Sequence, residues 1–214
     1  MARRQLLLGH RGMRGFPQVK ENTIEAFELA LQHGCDGFEF DVRLTGDGRA
    51  VVCHDPNIGG VVVNRARSEQ LAGLPLLDQV LQRFQHSAFL DIELKVAGLE
   101  KFLMKTLTEF SPKRGYVVSS FLPEIIRNID PLTPKGIICE TRSQLLQWTS
   151  LKVEYVMAHW KLLSEELVLQ LHETGKKVFG WTVNDTDRMR RFAEWGVDGI
   201  VSDNTRLLVQ TLAS

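Results

Sequence analysis

Short hydrophobic segments recur along the chain and alternate with amphipathic segments. Eight of them are partly β-branched or aromatic and lie beside Gly or Asp, which is typical of buried parallel strands. They occupy residues 6–8, 38–42, 89–94, 116–118, 136–139, 155–158, 178–183 and 199–201. The pattern therefore predicts eight strands separated by helices.

The intervening segments have apolar residues at helical spacing. Residues 23–31 place Ile24, Phe27 and Leu31 on one predicted helix face. Ser164, followed by two glutamates, is typical of the start of another helix. Glycines in the predicted C-cap position follow three of these helices: Gly34, Gly175 and Gly196.

Repeated strand–helix units predict an α/β fold in which parallel strands are joined by right-handed crossovers. Eight strands and the absence of a GxGxxG turn after the first favour a closed (β/α)8 TIM barrel over an open doubly wound sheet. No Pro/Gly/Ser linker divides the 214 residues, so residues 1–214 are predicted to form a single domain. Residues 50–53 should return along the second strand through a turn at 45–48, with a very short insertion after that strand.

Charge and cysteine content narrow the functional classes. Lys plus Arg and Asp plus Glu both number 26, so no global charge favours nucleic acid or an anionic membrane. No segment has the roughly 20 apolar residues that a transmembrane helix needs. Three scattered cysteines form neither a disulfide framework nor a CxxC pair, which favours a cytoplasmic location.

Carboxylates lie on two of the predicted strands, and the carboxyl ends of barrel strands are where functional residues lie. Glu39 and Asp41 are two positions apart and point to the same side of their strand, and so do Glu93 and Lys95. Three converging carboxylates repel one another, and a divalent cation would relieve that repulsion. Oxygen ligands suit Mg²⁺ or Ca²⁺ rather than Zn²⁺, and the sequence is compatible with both.

Histidines and cations follow the strand ends as well. His10 and Arg11 end the first strand, and His54 follows residues 50–53. Either histidine can act as general acid or general base near neutral pH. Arg11 and Lys95 supply positive charge suited to an anionic substrate. Together with a metal, this set is suited to cleavage of a phosphate ester.

An ordered series of motifs resembles the signature of the glycerophosphodiester phosphodiesterase family. The motifs are His10-Arg11-Gly12, Glu21-Asn22-Thr23, Glu39-Phe40-Asp41-Val42 with Asp47-Gly48, Val51-Val52-Cys53-His54-Asp55, Ile92-Glu93-Leu94-Lys95, Trp181-Thr182-Val183-Asn184 and Ser202-Asp203. Each motif is weak alone, but their order over nearly the whole chain is highly specific.

The resemblance implies a barrel that hydrolyses a small-molecule glycerophosphodiester to sn-glycerol 3-phosphate and an alcohol. It assigns Glu39, Asp41 and Glu93 to the metal, His10 and His54 to acid/base catalysis, Arg11 and Lys95 to the phosphate, Trp181 to the pocket wall, and Glu21 and Asn22 to support of the first loop.

Two departures from the family pattern concern the substrate-facing rim. Lys20 stands where the family usually has Pro before Glu-Asn-Thr, and the segment 56–74 is short. The apolar residues Ile58, Val61, Val62 and Val63 of that segment leave open a lysophospholipase D-type activity on lipid-bearing diesters. An inactive barrel that serves as a binding protein is the alternative outside enzymes. No motif indicates an oligomeric state.

Overall fold

The computed structural model describes residues 5–212, which form eleven strands and eight α-helices. The strands are β1 (Leu6–Gly9), β2 (Gly37–Leu44), β3 (Ala50–Val52), β4 (Asn57–Ile58), β5 (Val61–Val62), β6 (Phe89–Leu94), β7 (Tyr116–Ser120), β8 (Lys135–Cys139), β9 (Tyr155–His159), β10 (Lys177–Trp181) and β11 (Gly199–Ser202). The helices are α1 (Ile24–Gln32), α2 (Leu77–Phe84), α3 (Glu100–Glu109), α4 (Pro123–Asn128), α5 (Arg142–Leu145), α6 (Glu165–Glu173), α7 (Thr186–Glu194) and α8 (Thr205–Leu212).

Eight parallel strands close into a barrel in the order β1, β11, β10, β9, β8, β7, β6, β2, and β1 pairs again with β2. The closing pairs include Leu8 with Val201 on one side and Leu8 with Gly37 on the other. The predicted (β/α)8 barrel is confirmed, and the open sheet is excluded because both edges are paired. The seventh predicted strand, residues 178–183, corresponds to β10, which ends at Trp181, two residues earlier than predicted.

Successive side chains of β2 point alternately toward the helix layer and into the barrel interior. Phe38, Phe40 and Val42 are fully buried in the cluster beneath the helices. The intervening Glu39 and Asp41 therefore face into the barrel. Gly37 begins the strand where a Cβ atom would lie 1.8 Å from the carbonyl oxygen of Phe89, so this close strand approach requires glycine.

Helix α1 covers β2 with a buried face that differs in part from the predicted one. Ala26, Phe27 and Ala30 are buried, and the ring of Phe27 stacks on Phe38 with centroids 4.2 Å apart. Ile24 and Leu31 are only partly buried at the margin of the cluster, because they flank rather than form the stripe. The predicted C-cap glycines all have positive φ angles.

Apolar side chains fill one part of the barrel interior. Alternate residues of the strands form this inner cluster: Leu8, Phe89, Val117, Ile138, Tyr155, Met157, Phe179 and Val201. The next inward-facing position on several of these strands is polar or charged. The interior therefore changes from apolar to polar toward the carboxyl ends of the strands.

The segment between β2 and α2 forms a small lobe at that end of the barrel. The predicted return strand is β3, which pairs antiparallel with β2 and places Val42 opposite Val52. The β4–β5 hairpin and two short 3₁₀ turns follow. Their core consists of Val51, Cys53, Val63, Ala66 and Leu71. This lobe holds the chain that carries His54.

The described helices and the three cysteines all lie within residues 5–212. No helix there is both long and apolar enough to cross a membrane. Cys35, Cys53 and Cys139 are all buried free thiols.

Candidate active site

A cavity of about 420 Å³ opens at the carboxyl ends of the barrel strands. All eight barrel strands, or the two positions after each strand, contribute to its lining, and His54 comes from the lobe between β2 and α2. The lining residues are His10, Arg11, Glu39, His54, Asp91, Glu93, Lys95, Phe121, Ile138, Glu140, Met157, Trp181 and Val201. Seven of the eight residues predicted for catalysis, metal or substrate line the cavity directly. Asp41 lies behind it as a neighbour of Glu39 and Glu93.

Glu39, Asp41 and Glu93 form a buried cluster in which one ligand oxygen from each lies within 4.8 Å of the others. Strand register explains the grouping, because Asp41 is paired with Glu93 across β2 and β6. Glu39 is likewise paired with Asp91, a fourth inward-facing carboxylate. The predicted convergence of the three carboxylates is therefore present in the structure.

The carboxylate cluster fits a divalent cation. Glu39 Oε1 and Asp41 Oδ1 are buried without a hydrogen-bond partner, an arrangement that is costly unless something binds them. Burial, and then the charges of Asp41 and Glu93, raise the pKa of Glu39 well above its usual value. Burial and the charge of Asp41 raise the pKa of Glu93 to about 7. An oxygen-only donor set of this kind suits a hard cation such as Mg²⁺ or Ca²⁺.

Two cationic side chains balance Asp41. Lys95 Nζ lies 3.3 Å from Asp41 Oδ1 and 2.6 Å from Glu93 Oε1, and Arg11 Nε lies 3.2 Å from Asp41 Oδ2. Burial alone would raise the pKa of Asp41, but Lys95 and Arg11 hold it below its usual value. Asp41 is thus the member of the cluster that is most readily ionised.

Hydrogen bonds join the loop between β1 and α1, which carries Arg11, to the carboxylates of β2. The backbone N–H of Arg11 donates to Glu39 Oε2 at 2.9 Å, and its guanidinium donates to Glu21 Oε1 at 2.8 Å. Asn22 donates to Asp41 Oδ2 at 2.8 Å. Arg11 and Asn22 both have positive φ angles, of 52° and 58°. The predicted supporting residues, Glu21 and Asn22, therefore connect this loop directly to Arg11 and the carboxylates.

His10 lies at the boundary between the carboxylates and the last strand. Its Nδ1 atom is 2.7 Å from Asp203 Oδ1, and its Nε2 atom is 3.9 Å from Glu39 Oε2. Burial would raise the pKa of Asp203, but the hydrogen bond from His10 and its charge lower it to about 2. Asp203 is therefore ionised at neutral pH.

His54 reaches the cavity from the lobe between β2 and α2. Its Nδ1 atom lies 2.7 Å from Oδ1 of the neighbouring Asp55, whose side chain is 67% exposed. Arg43 Nε donates to the His54 carbonyl oxygen at 2.6 Å. Burial lowers the pKa of His54, while Asp55 opposes that shift.

Trp181 forms part of an aromatic wall. Its ring meets the Phe121 ring edge-on, with the two centroids 5.5 Å apart. The His159 ring is also edge-on to it, with a centroid distance of 5.3 Å. The indole N–H donates to the Met157 carbonyl oxygen at 3.0 Å, which fixes the ring. Trp181 therefore lies in the cavity lining, and its contact with a substrate stays a prediction.

Two carboxylates at the site had no predicted role. Asp91 accepts a hydrogen bond from Ser119 Oγ at 2.6 Å, and burial raises its pKa to about 7. Asp203 is bonded to His10. The two-residue period of a strand could have placed both inside the barrel. Asp91 lies two residues before Glu93, and Asp203 lies two residues after the inward-facing Val201.

Sequence comparison identifies the family. The glycerophosphoryl diester phosphodiesterase family matches residues 10–113 and 64–207. A glycerophosphodiester phosphodiesterase of Caldanaerobacter subterraneus subsp. tengcongensis is 30% identical over 235 residues, which cover 95% of this chain and 96% of that protein. One from Bacillus altitudinis is 29% identical over 231 residues, covering 92% and 94% of the two chains.

Solved structures support the fold. A glycerophosphodiester phosphodiesterase from Thermotoga maritima has a TM-score of 0.85 at 23% identity, covering 97% of this chain and 98% of that chain. A phosphodiesterase from Oleispira antarctica, solved with the product sn-glycerol-3-phosphate, has a TM-score of 0.85 at 22% identity, covering 98% and 97%. The enzyme class predicted from the sequence motifs is confirmed by the sequence matches. The chain belongs to the glycerophosphoryl diester phosphodiesterase family.

Proposed function

We propose that this chain hydrolyses glycerophosphodiesters to sn-glycerol 3-phosphate and an alcohol, with a divalent cation held by Glu39, Asp41 and Glu93. The observation that carries the proposal is the buried three-carboxylate cluster, in which Glu39 Oε1 and Asp41 Oδ1 accept no hydrogen bond, beside a cavity that two histidines line. The Oleispira antarctica relative, solved with sn-glycerol-3-phosphate, supports the choice of product.

Arg11 and Lys95 would bind the phosphate. Both border the cavity, and each is held by a carboxylate at 3.3 Å or less. Their side chains are therefore positioned before a substrate arrives, so little conformational entropy is lost on binding. The cation would add positive charge beside the phosphate oxygens. Trp181 would exclude water from one side of the substrate.

His10 and His54 would transfer the protons. Nδ1 of each ring is engaged by a carboxylate, Asp203 for His10 and Asp55 for His54. Nε2 is therefore the atom available to exchange a proton with the substrate, water or the leaving alcohol. Both assignments of acid and base fit this arrangement. The nucleophile would be either water or the hydroxyl group of the substrate's own glycerol.

Product analysis by phosphorus NMR tests the proposed reaction. We expect the diester resonance of a glycerophosphodiester to be replaced by that of sn-glycerol 3-phosphate, with release of the free alcohol. Release of glycerol and a phosphorylated alcohol would contradict the proposed bond cleavage. A cyclic phosphate that builds up and decays would exclude water as the only nucleophile.

The lobe between β2 and α2 gives little support to a lipid-binding groove. Val63 is buried, and Ile58 and Val61 pack against the core of the lobe. Val62 is the exposed member of this apolar set, with 39% of its surface exposed. We therefore favour water-soluble glycerophosphodiesters over lysolipids. The cytoplasmic location and the single domain of residues 1–214 remain predictions.

In the metal-free protein, we expect this site to destabilise the fold as the pH rises. The pKa of Glu93 is raised from 4.5 to about 7, so the folded state keeps a proton that the unfolded chain releases. The associated stability is complete below pH 4.5 and is lost as the pH rises to about 7. A cation would take the place of this proton and would bind best when the carboxyl is ionised. Mg²⁺ or Ca²⁺ should therefore raise the melting temperature more at about pH 8 than at about pH 5. Equal shifts at both pH values would contradict this linkage.

A further inference from the structure

We propose that Asp203 and Asn184 are positioning residues that hold His10 in one tautomer and one orientation. This inference rests on the proposed function, because it assigns His10 Nε2 as the proton-transferring atom. Asp203 and Asn184 would act through His10 and would not contact the reacting atoms.

The contact between His10 and Asp203 determines the tautomer. His10 Nδ1 and Asp203 Oδ1 are 2.7 Å apart, which is a charge-assisted hydrogen-bond distance. An ionised carboxylate only accepts hydrogen bonds, so Nδ1 must carry the donated proton. In the neutral ring, Nε2 is then unprotonated. It is also the ring nitrogen directed toward the carboxylate cluster, 3.9 Å from Glu39 Oε2.

Asn184 holds Asp203 in turn. Asn184 Nδ2 donates to Asp203 Oδ2 at 2.6 Å, and Asn184 Oδ1 accepts the backbone N–H of Asp203 at 2.9 Å. The same Asn184 oxygen accepts a hydrogen bond from Ser202 Oγ at 3.0 Å. These contacts fix the amide orientation of Asn184 and direct the other Asp203 oxygen toward His10.

Closure of the barrel explains why these residues meet. Leu8 and Val201 are paired across β1 and β11, and both face inward. His10 and Asp203 follow them by two positions each, so they also face inward at the same height. The His10 backbone N–H donates to the Ser202 carbonyl oxygen at 2.9 Å, which extends the strand pairing to this level.

The two histidines differ in how their carboxylates are held. Asp203 is 23% exposed and is bonded through both oxygens, whereas the Asp55 side chain is 67% exposed and follows His54 directly in the chain. A partner held from a separate loop restricts ring rotation more than an exposed neighbour does. The geometry therefore points to His10 as the histidine whose tautomer is set by tertiary structure.

Asp203→Asn tests the proposal, and Asp198→Asn is the matched control. Asp198 lies at the opposite end of β11, where its Oδ2 atom is 2.9 Å from His172 Nε2. Both changes therefore replace a histidine-bound carboxylate beside the same strand. We expect Asp203→Asn to lower kcat by about 10²- to 10⁴-fold with KM changed less than about threefold, as expected when a histidine adopts the wrong tautomer. Asn184→Ala should lower kcat by a smaller factor of about 10.

The control should leave kcat and KM within about threefold of wild type, even if its melting temperature falls as much as that of Asp203→Asn. An Asp203→Asn protein that keeps wild-type kcat would overturn the proposal. So would equal losses of kcat in the two variants.

The tautomer of His10 can be measured without turnover. Nitrogen-15 NMR of the wild-type imidazole rings, assigned by the resonances lost in His10→Asn, should place the proton of neutral His10 on Nδ1. A proton on Nε2 would overturn the proposal, whether or not Asp203→Asn folds. If the protein hydrolyses no glycerophosphodiester, the proposed function fails while the tautomer measurement still decides the role of Asp203.

Discussion

Glu93→Gln is expected to make the metal-free protein more stable and to remove most of its activity. The buried carboxyl has a pKa of about 7, so near neutral pH its ionisation opposes folding. A neutral amide of the same shape removes that cost, and we expect a gain of about 1–3 kcal/mol in the free energy of unfolding near pH 8 with chelator. The amide is a poor ligand, so metal-dependent turnover should fall by about 10²- to 10⁴-fold. Chemical denaturation and steady-state kinetics measure the two effects.

Asp91→Asn is the matched control for this variant. Asp91 is also buried on β6 with a pKa of about 7, but it is bonded to Ser119 and lies outside the three-carboxylate cluster. The Asp91→Asn substitution should also stabilise the metal-free protein. In this variant a divalent cation should still raise the melting temperature as it does in the wild type. A Glu93→Gln enzyme with wild-type turnover and metal response would rule out Glu93 as a ligand.

His10→Gln and His54→Gln should each lower kcat by about 10²- to 10⁴-fold while metal binding is retained. Both rings line the cavity, but neither belongs to the carboxylate cluster, so the cation-induced rise in melting temperature should stay near that of wild type. Steady-state kinetics and thermal unfolding on the same preparations separate the two properties.

His86→Gln provides the comparison for the histidine variants, because His86 is exposed and lies outside the cavity. It should retain wild-type kcat. Wild-type activity in either His10→Gln or His54→Gln would remove that residue from the acid/base pair. Loss of the metal response would instead indicate that the histidine supports the carboxylate cluster.

The barrel could be predicted because its strands have simple patterns. The alternation in β2 of buried Phe38 and Phe40 with Glu39 and Asp41 follows directly from the two-residue period of a strand. The ordered motifs then identified most of the residues around the cavity. The roles of these residues come from the family resemblance and remain to be tested.

The contacts between distant strands could not be predicted. The bond between His10 and Asp203 depends on the register of β1 against β11, which no local pattern gives. The convergence of the three carboxylates was predicted, but the pairing of Asp41 with Glu93 in particular depends on the register of β2 against β6. The predicted buried face of α1 was wrong in part, because helical spacing alone did not distinguish the centre of the buried face from its margins.

The measurement that tests the central claim most directly is release of sn-glycerol 3-phosphate from a series of glycerophosphodiesters with Mg²⁺, with Ca²⁺ and with chelator. The account predicts turnover with at least one of the two cations and none with chelator, because three buried carboxylates would otherwise repel both one another and the substrate phosphate. Full turnover in chelator would contradict the metal-dependent account. No turnover on any substrate under any of these conditions would contradict the proposed activity and favour a barrel that binds without catalysing.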